Sequence, residues 1–337
     1  MIFIFLTGGL FLGWSLGAND AANVFGTAVG SRMISFFKAA VICSVFILAG
    51  AVLQGSGGAE TLNSLGTVAL PVQAFILTLA AAVTVTGMSV FGIPVSTSQA
   101  IVGAIIGWNI FAGLPTDPVI LRKIVLTWIL CPLLAAVFVI PLFALMRFFT
   151  VKSGIHLLKQ DALLRWGLMI VGAFGSYSLG ANNIANVTGV FIPAFSFGDL
   201  VLFGISISGQ QQLFFIGALA IAAGVITFSR RTMTTIGGKL YKLTPEAAFT
   251  VVLSHSLVLF VFSSSSLSSF VVSIGLPPIP LVPVSSSQAI VGAIIGLGLM
   301  RGGYGINYKV LGEIGLGWIL TPLIAGLMAL GLFYVIM

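Results

Sequence analysis

PVSTSQAIVGAIIG at residues 94–107 and PVSSSQAIVGAIIG at residues 283–296 are one segment written twice, identical at 13 of 14 positions. LGANDAANVFG at 16–26 likewise returns as LGANNIANVTG at 179–189, and WILCPL at 128–133 returns as WILTPL at 318–323. Three motif pairs in the same order make an internal repeat. The chain therefore divides into a first repeat at residues 1–146, a basic linker at 147–165 and a second repeat at 166–337. The first and second motifs stand further apart in the second copy, and GLPPIPLVPV at 275–284 is expected to supply part of the surplus.

Of 337 residues, 58% are hydrophobic and only 6% charged, where a soluble domain carries about 25% charged residues. Lipid is thus the solvent for most of the chain. Apolar runs at 2–16, 36–53, 124–146, 213–228, 247–262 and 314–337 approach or exceed the roughly 20 residues a helix needs to cross a bilayer. Their length and glycine content fit helices rather than the short alternating strands of an outer-membrane barrel. The expected class is an all-α, multi-pass integral protein of the cell membrane, inner or plasma.

The formal charge of +7 lies between apolar runs, so it reads as topology and gives no reason to invoke nucleic acid. Arg147, Lys152, Lys159 and Arg165, opposed only by Asp161, place their segment on the cytoplasmic side. That segment resembles a connecting interfacial helix, with His156 as a solvated residue. Cys43 and Cys131 fall inside apolar runs and read as packing residues. Residues 2–16 lack the basic flank of a cleaved signal and lead straight into a polar motif, so a retained helix is expected.

Polar residues inside apolar sequence carry the functional information, because a charge at the midplane costs at least about 2.5 kcal/mol. Of seven acidic residues, only Asp20 is flanked on both sides by membrane-like sequence. Helical spacing puts Asn19, Asp20 and Asn23 on one face, and Asn182, Asn183 and Asn186 repeat the pattern. Because Asn and Asp favour helix starts and each cluster follows Gly-Ala, both helices are expected to break there and line a cavity. The bland alternative is a set of interhelical hydrogen bonds. In Ser96-Thr97-Ser98-Gln99 and Ser285-Ser286-Ser287-Gln288, a hydroxyl three residues before Gln, after Pro and before an apolar helix, is a capping-box pattern. Two helix N-termini would then face the interior and hold an anion by N–H groups, hydroxyls and Gln amides without any Lys or Arg. The Asp, Asn and Ser oxygens suit a small hard cation such as sodium. The Ser263–Ser269 run reads equally as cavity lining or hairpin tip, and His255 as a structural, hydrogen-bonded residue.

GANDAANVFGTAVGSR, GANNIANV and the paired PVS[TS]SQAIVGA motifs resemble the inorganic phosphate transporter (PiT) family across nearly the whole chain. The resemblance implies phosphate symport with sodium or protons, two inverted-topology repeats with broken helices, and re-entrant helical hairpins. It assigns substrate and ion roles to Asp20, Asn23, Thr97, Ser98, Asn183, Asn186, Ser286 and Ser287. Combined with the motif chemistry, the expected phosphate set is Asn23, Thr97, Ser98, Gln99, Asn186, Ser286, Ser287 and Gln288. The expected sodium set is Asp20, Asn19, Asn23, Ser96, Asn182, Asn183, Asn186 and Ser285. Lipid and, as an option, a second copy of the chain complete the partners.

Four departures from the family pattern stand out. The second signature has Asn183 where members often have Asp, Gln99 and Gln288 stand where many have His, and the large loop between halves shrinks to the basic linker. Glutamates that some members carry on a helix in each half are matched here by Ile47 and Val252. Asp20 is thereby left nearly alone among titratable groups, which favours sodium over proton coupling. Hydrogen phosphate keeps an O–H that an Asn or Asp oxygen can accept, whereas sulfate does not. A passive anion channel is a rival; an enzyme on phosphorylated lipids is not favoured, because two histidines and no acidic or Cys cluster leave no catalytic set.

Overall fold

The computed structural model describes residues 2–91, 93, 95–152, 154–195, 197–202, 204–236, 243–303 and 306–337. Pro94, which precedes the first serine motif, lies outside the described residues. The first half contains α1 (Ile2–Gly30), α2 (Phe36–Gln54), α3 (Ser56–Leu65), α4 (Pro71–Val90), α5 (Thr97–Ala112) and α6 (Pro118–Lys152). The second half contains α7 (Leu157–Thr188), α8 (Gly209–Ile236), α9 (Pro245–Ser263), α10 (Ser265–Ser273), α11 (Ser286–Met300) and α12 (Tyr308–Ile336). Pro71 and Pro245 open α4 and α9, where the missing N–H costs nothing.

Among the described residues seven segments are long and apolar enough to cross a membrane: 36–54, 71–90, 118–152, 157–191, 209–234, 245–263 and 308–336. The chain is an α-helical, multi-pass membrane protein. α6 and α12 leave Leu133, Val137, Leu323 and Leu327 exposed, a surface suited to lipid. α5 and α11, at 16 and 15 residues, are shorter apolar helices that start inside the protein.

Glycines set how closely these helices approach. A Cβ on Gly103 of α5 would meet the Pro322 carbonyl oxygen of α12 at 2.1 Å, and one on Gly292 of α11 would meet that of Pro132 of α6 at 2.2 Å. Each is the first glycine of a Gly-x-x-x-Gly pair, 103 and 107 or 292 and 296, which lets backbones touch. The contacts are exchanged, the short helix of each half seating on the long helix of the other. α5 ends with Phe111 stacked on Phe333, near the end of α12, while α11 ends with Arg301 over the Phe143 ring, toward the end of α6. α6 therefore begins where α12 finishes and finishes where α12 begins, the opposite sense that an inverted repeat requires.

Several expectations are corrected. α1 and α7 run unbroken through LGAND and LGANN. The glycines there serve packing, since a Cβ on Gly17 would lie 1.9 Å from the Ile221 carbonyl oxygen and one on Gly180 would lie 2.2 Å from that of Ile47. Ile47 and Val252 lie on one helix of each half, α2 and α9, and the same glycine pairing makes Ile221 of α8 the counterpart of Ile47. The basic stretch 147–165 is not a helix of its own: it finishes α6 and begins α7, with Gly154 at φ 57 in the connection. His156 caps α7, accepting from the Leu158 N–H at 3.4 Å. The surplus of the second half lies between α9 and α11 and also between α7 and α8. There a 3-10 turn (Gly189–Phe191) and an antiparallel hairpin of β1 (Leu200–Leu202) and β2 (Ile205–Ile207) replace a short link. Both cysteines are free and buried.

Candidate functional site

The two serine motifs start helices, as their pattern predicts. Ser96 caps α5, accepting from the Gln99 N–H at 3.4 Å, and Ser285 caps α11, accepting from Gln288 at 3.3 Å. Only half of the capping box forms. Gln99 and Gln288 do not turn back onto the cap; both are buried, and their Oε1 atoms have no partner among the described residues.

Hydrogen bonds bring the two helix starts together across the halves. Ser98 donates to the Val284 carbonyl at 3.0 Å, and Asn182 brackets that same peptide group region, donating to the Val284 carbonyl at 2.8 Å and accepting from its N–H at 3.0 Å. Asn186 donates to Ser98 Oγ at 2.9 Å and to Asn183 Oδ1 at 3.1 Å. Asn183 in turn donates to the Leu179 carbonyl one turn back at 3.1 Å, so these amides bond along and across α7 rather than interrupting it. In the first half Asn23 donates to Ser286 Oγ at 3.0 Å. The asparagine that ends each signature thus reaches the serine motif of the opposite half.

The remaining predicted residues cluster less tightly. Asp20, 3% exposed, accepts from Asn19 at 2.9 Å one turn before Asn23. Among the described residues no Lys or Arg pairs with it. Ser285 and Ser287 hydroxyls bond each other at 3.0 Å. Thr97 is buried, and among the described residues its Oγ1 has no partner, nor does Asn186 Oδ1.

Sequence reasoning missed two groups. His255 of α9, fully buried, places Nε2 2.9 Å from Ser286 Oγ, and its Nδ1 has no partner among the described residues. It is hydrogen-bonded, as expected, but to the site itself, so Asp20 is not the only titratable group beside the motifs. Nothing in SHSLVLF signals this, because the partner arrives from another helix 31 residues later. The other group is Cys131, whose Sγ lies 3.6 Å from the Ser285 carbonyl. The serine run sits at the α9–α10 break: Ser264 caps α10 and accepts from Gln54 at 3.4 Å. It thereby ties this break to the α2–α3 break rather than joining the motif network.

The arrangement sets donors and acceptors side by side. First-turn N–H groups and the hydroxyls of Thr97, Ser98, Ser286 and Ser287 suit an oxyanion, while the unpartnered amide oxygens and the Asp20 carboxylate suit a hard cation or a protonated oxygen.

Comparison with known proteins agrees over the same span. The profile described as "Phosphate transporter family" matches residues 16–329. A Bacillus subtilis sulfate permease is 29% identical, covering 94% of this chain and 82% of its own. A Methanocaldococcus jannaschii protein named provisionally as a phosphate permease is 28% identical, covering 92% and 89%. The solved structure of a sodium-dependent phosphate transporter superposes with a TM-score of 0.77 at 23% identity, covering 99% of this chain and 98% of that one, a likeness of fold.

Proposed function

The chain belongs to the phosphate transporter family, and from that premise we propose that it imports inorganic phosphate by symport with sodium, through alternating access of a site shared by two inverted repeats. It is a transporter and not an enzyme. Three buried acceptor oxygens carry the finer reading: Gln99 Oε1, Gln288 Oε1 and Asn186 Oδ1 have no hydrogen-bond partner among the described residues. Leaving such a group unsatisfied costs about 1–3 kcal/mol. A ligand that brings only acceptors would leave that cost in place. Sodium offers positive charge and hydrogen phosphate offers an O–H, so the pair satisfies the amide oxygens while phosphate oxygens take the helix-start donors.

In this reading Asn23, Thr97, Ser98, Gln99, Asn186, Ser286, Ser287 and Gln288 hold phosphate. Asp20, Asn19, Ser96, Asn182, Asn183 and Ser285 supply oxygens to sodium, with Asn23 and Asn186 serving both. Each ion neutralises the other, which lowers the cost of moving the site between the two faces of the membrane. The opposite sense of α6 and α12 supports the inverted arrangement.

One observation favours a second reading, proton coupling: His255 contacts Ser286 and can change charge. Uptake into proteoliposomes separates the two. An inward sodium gradient should drive phosphate above its external concentration, and a proton gradient alone should not. The B. subtilis relative is named a sulfate permease, so excess sulfate belongs in the same assay and should compete weakly. Accumulation driven by protons without sodium would transfer the role to His255, and mere equilibration would indicate a channel.

A further inference from the structure

A second feature lies away from the serine motifs, at the basic end of the bundle. A cavity of about 850 Å³ opens where the end of α1 and the start of α2 meet α7 and α8. Arg32, Lys38, Arg165 and Arg230 line it, and no carboxylate does. The rest of its wall is largely apolar, with Met33, Phe36, Trp166 and Met169. We propose that this cavity binds the phosphodiester headgroup of an anionic membrane lipid.

Three observations argue for a built site. Arg165 is fixed, its Nε 2.7 Å from Asp161 and its Nη1 2.8 Å from the Met33 carbonyl, so the carboxylate is consumed in holding one wall. Arg32 sits at φ 60 in the turn after α1, alone among non-glycine described residues. Glycine would fit that left-handed position without strain, and an arginine there puts a cation on the cavity wall at a backbone cost. Among the described residues, Arg32, Lys38 and Arg230 form no salt bridge.

The apolar half of the wall selects lipid over free phosphate as the source. Trp166 and Phe37 are strongly exposed at this level, as aromatic residues are where headgroups meet acyl chains. A shallower hollow of about 440 Å³ shares Arg230 and Thr234 and runs onto Phe228, which faces outward along α8. Cations on the cavity wall beside Met33, Phe36, Trp166 and Met169 match one amphiphile, and basic pockets between membrane helices on the cytoplasmic side are typical headgroup sites.

Native mass spectrometry of the full chain with phosphatidylglycerol, phosphatidylcholine of the same acyl chains, and inorganic phosphate tests this. Phosphatidylglycerol should be retained and phosphatidylcholine lost. Combining R32G, K38Q and R230Q should weaken retention about a hundredfold, and R230Q alone about fivefold, the latter serving if the triple variant does not fold. R32G relieves the left-handed arginine, so thermal unfolding of that variant should show no loss of stability. Equal retention of phosphatidylglycerol by parent and variants would overturn the proposal, as would equal retention of phosphatidylcholine. Saturation by inorganic phosphate without lipid binding would overturn the lipid and leave a free-anion site. The readout is lipid retention rather than uptake, so it stands or fails apart from the transport reading.

Discussion

At the residue scale the chemistry turns on a buried carboxylate with no basic partner among the described residues. Asp20 accepts one hydrogen bond, from Asn19, and a lone anion in a membrane interior calls for a cation. Replacing it by Asn preserves shape and removes only charge. Sodium-dependent phosphate uptake by Asp20→Asn should fall at least tenfold, with a thermal midpoint equal to or above the parent's, since a neutral amide is easier to bury than a carboxylate. An unchanged sodium activation curve in proteoliposomes would remove Asp20 from the ion site. For His255→Gln, sodium symport predicts an unchanged pH profile and a three- to tenfold rise in KM, because only one hydrogen bond to Ser286 is lost; a flattened pH profile would instead favour proton coupling. The motif residues were legible because amides and hydroxyls inside apolar sequence have few other uses. His255 was not, since its contact is made between helices distant in sequence. The glutamines were half-legible, because a Ser-x-x-Gln pattern looks the same whether the amide turns back to the cap or projects its oxygen inward.

At the scale of the elements, where a helix starts was easier to read than where it breaks. Ser96 and Ser285 mark starts through a cap that any helix needs. The signatures looked like breaks because Gly and Asn disfavour helix interiors in water. Inside this protein the amides of Asn183 and Asn186 find partners one turn away or across the interface, and the glycines admit neighbouring backbones, so the usual penalties do not decide. The exchanged glycine contacts yield a clean test. Gly103→Ala and Gly292→Ala each force a Cβ toward a proline carbonyl oxygen, at 2.1 and 2.2 Å respectively, and should each cost about 1–3 kcal/mol. Gly87→Ala, in α4 where a Cβ would meet no described atom within 4 Å beyond its own stretch of helix, should be neutral or stabilising by up to about 1 kcal/mol. Thermal unfolding in detergent reads all three; if Gly87→Ala proves as damaging as the others, helix approach is not what these glycines provide.

At the scale of the whole molecule, the exchanged packing and the charge distribution make the same statement about orientation. Arg32, Lys38, Arg165 and Arg230 surround one cavity, and Arg301 rests on Phe143 toward the finish of α6, so the start of α12 with Lys309 belongs to this basic end. The start of α6, with Arg122 and Lys123 near Asp117, belongs to the other, where Glu60 and Asp199 also lie and cations are not in excess. Positive charge accumulates on cytoplasmic ends, which predicts Lys309 inside and Lys123 outside although both stand near the starts of corresponding helices. Sequence motifs find the repeat but a count of crossings does not find its sense, because short helices defeat it, and only the family resemblance implies inversion; the opposite sense of α6 and α12 supports it once α5 is seen against α12 and α11 against α6. Exposed Lys123 and Lys309 can each be replaced by Cys in a chain whose own Cys43 and Cys131 are buried, so background labelling should be low. A membrane-impermeant maleimide should label Lys123→Cys in right-side-out vesicles and Lys309→Cys only in inverted ones. Labelling of both from one side would mean that the halves run in the same direction, and a mechanism that exchanges the roles of two inverted repeats would lose its geometric basis.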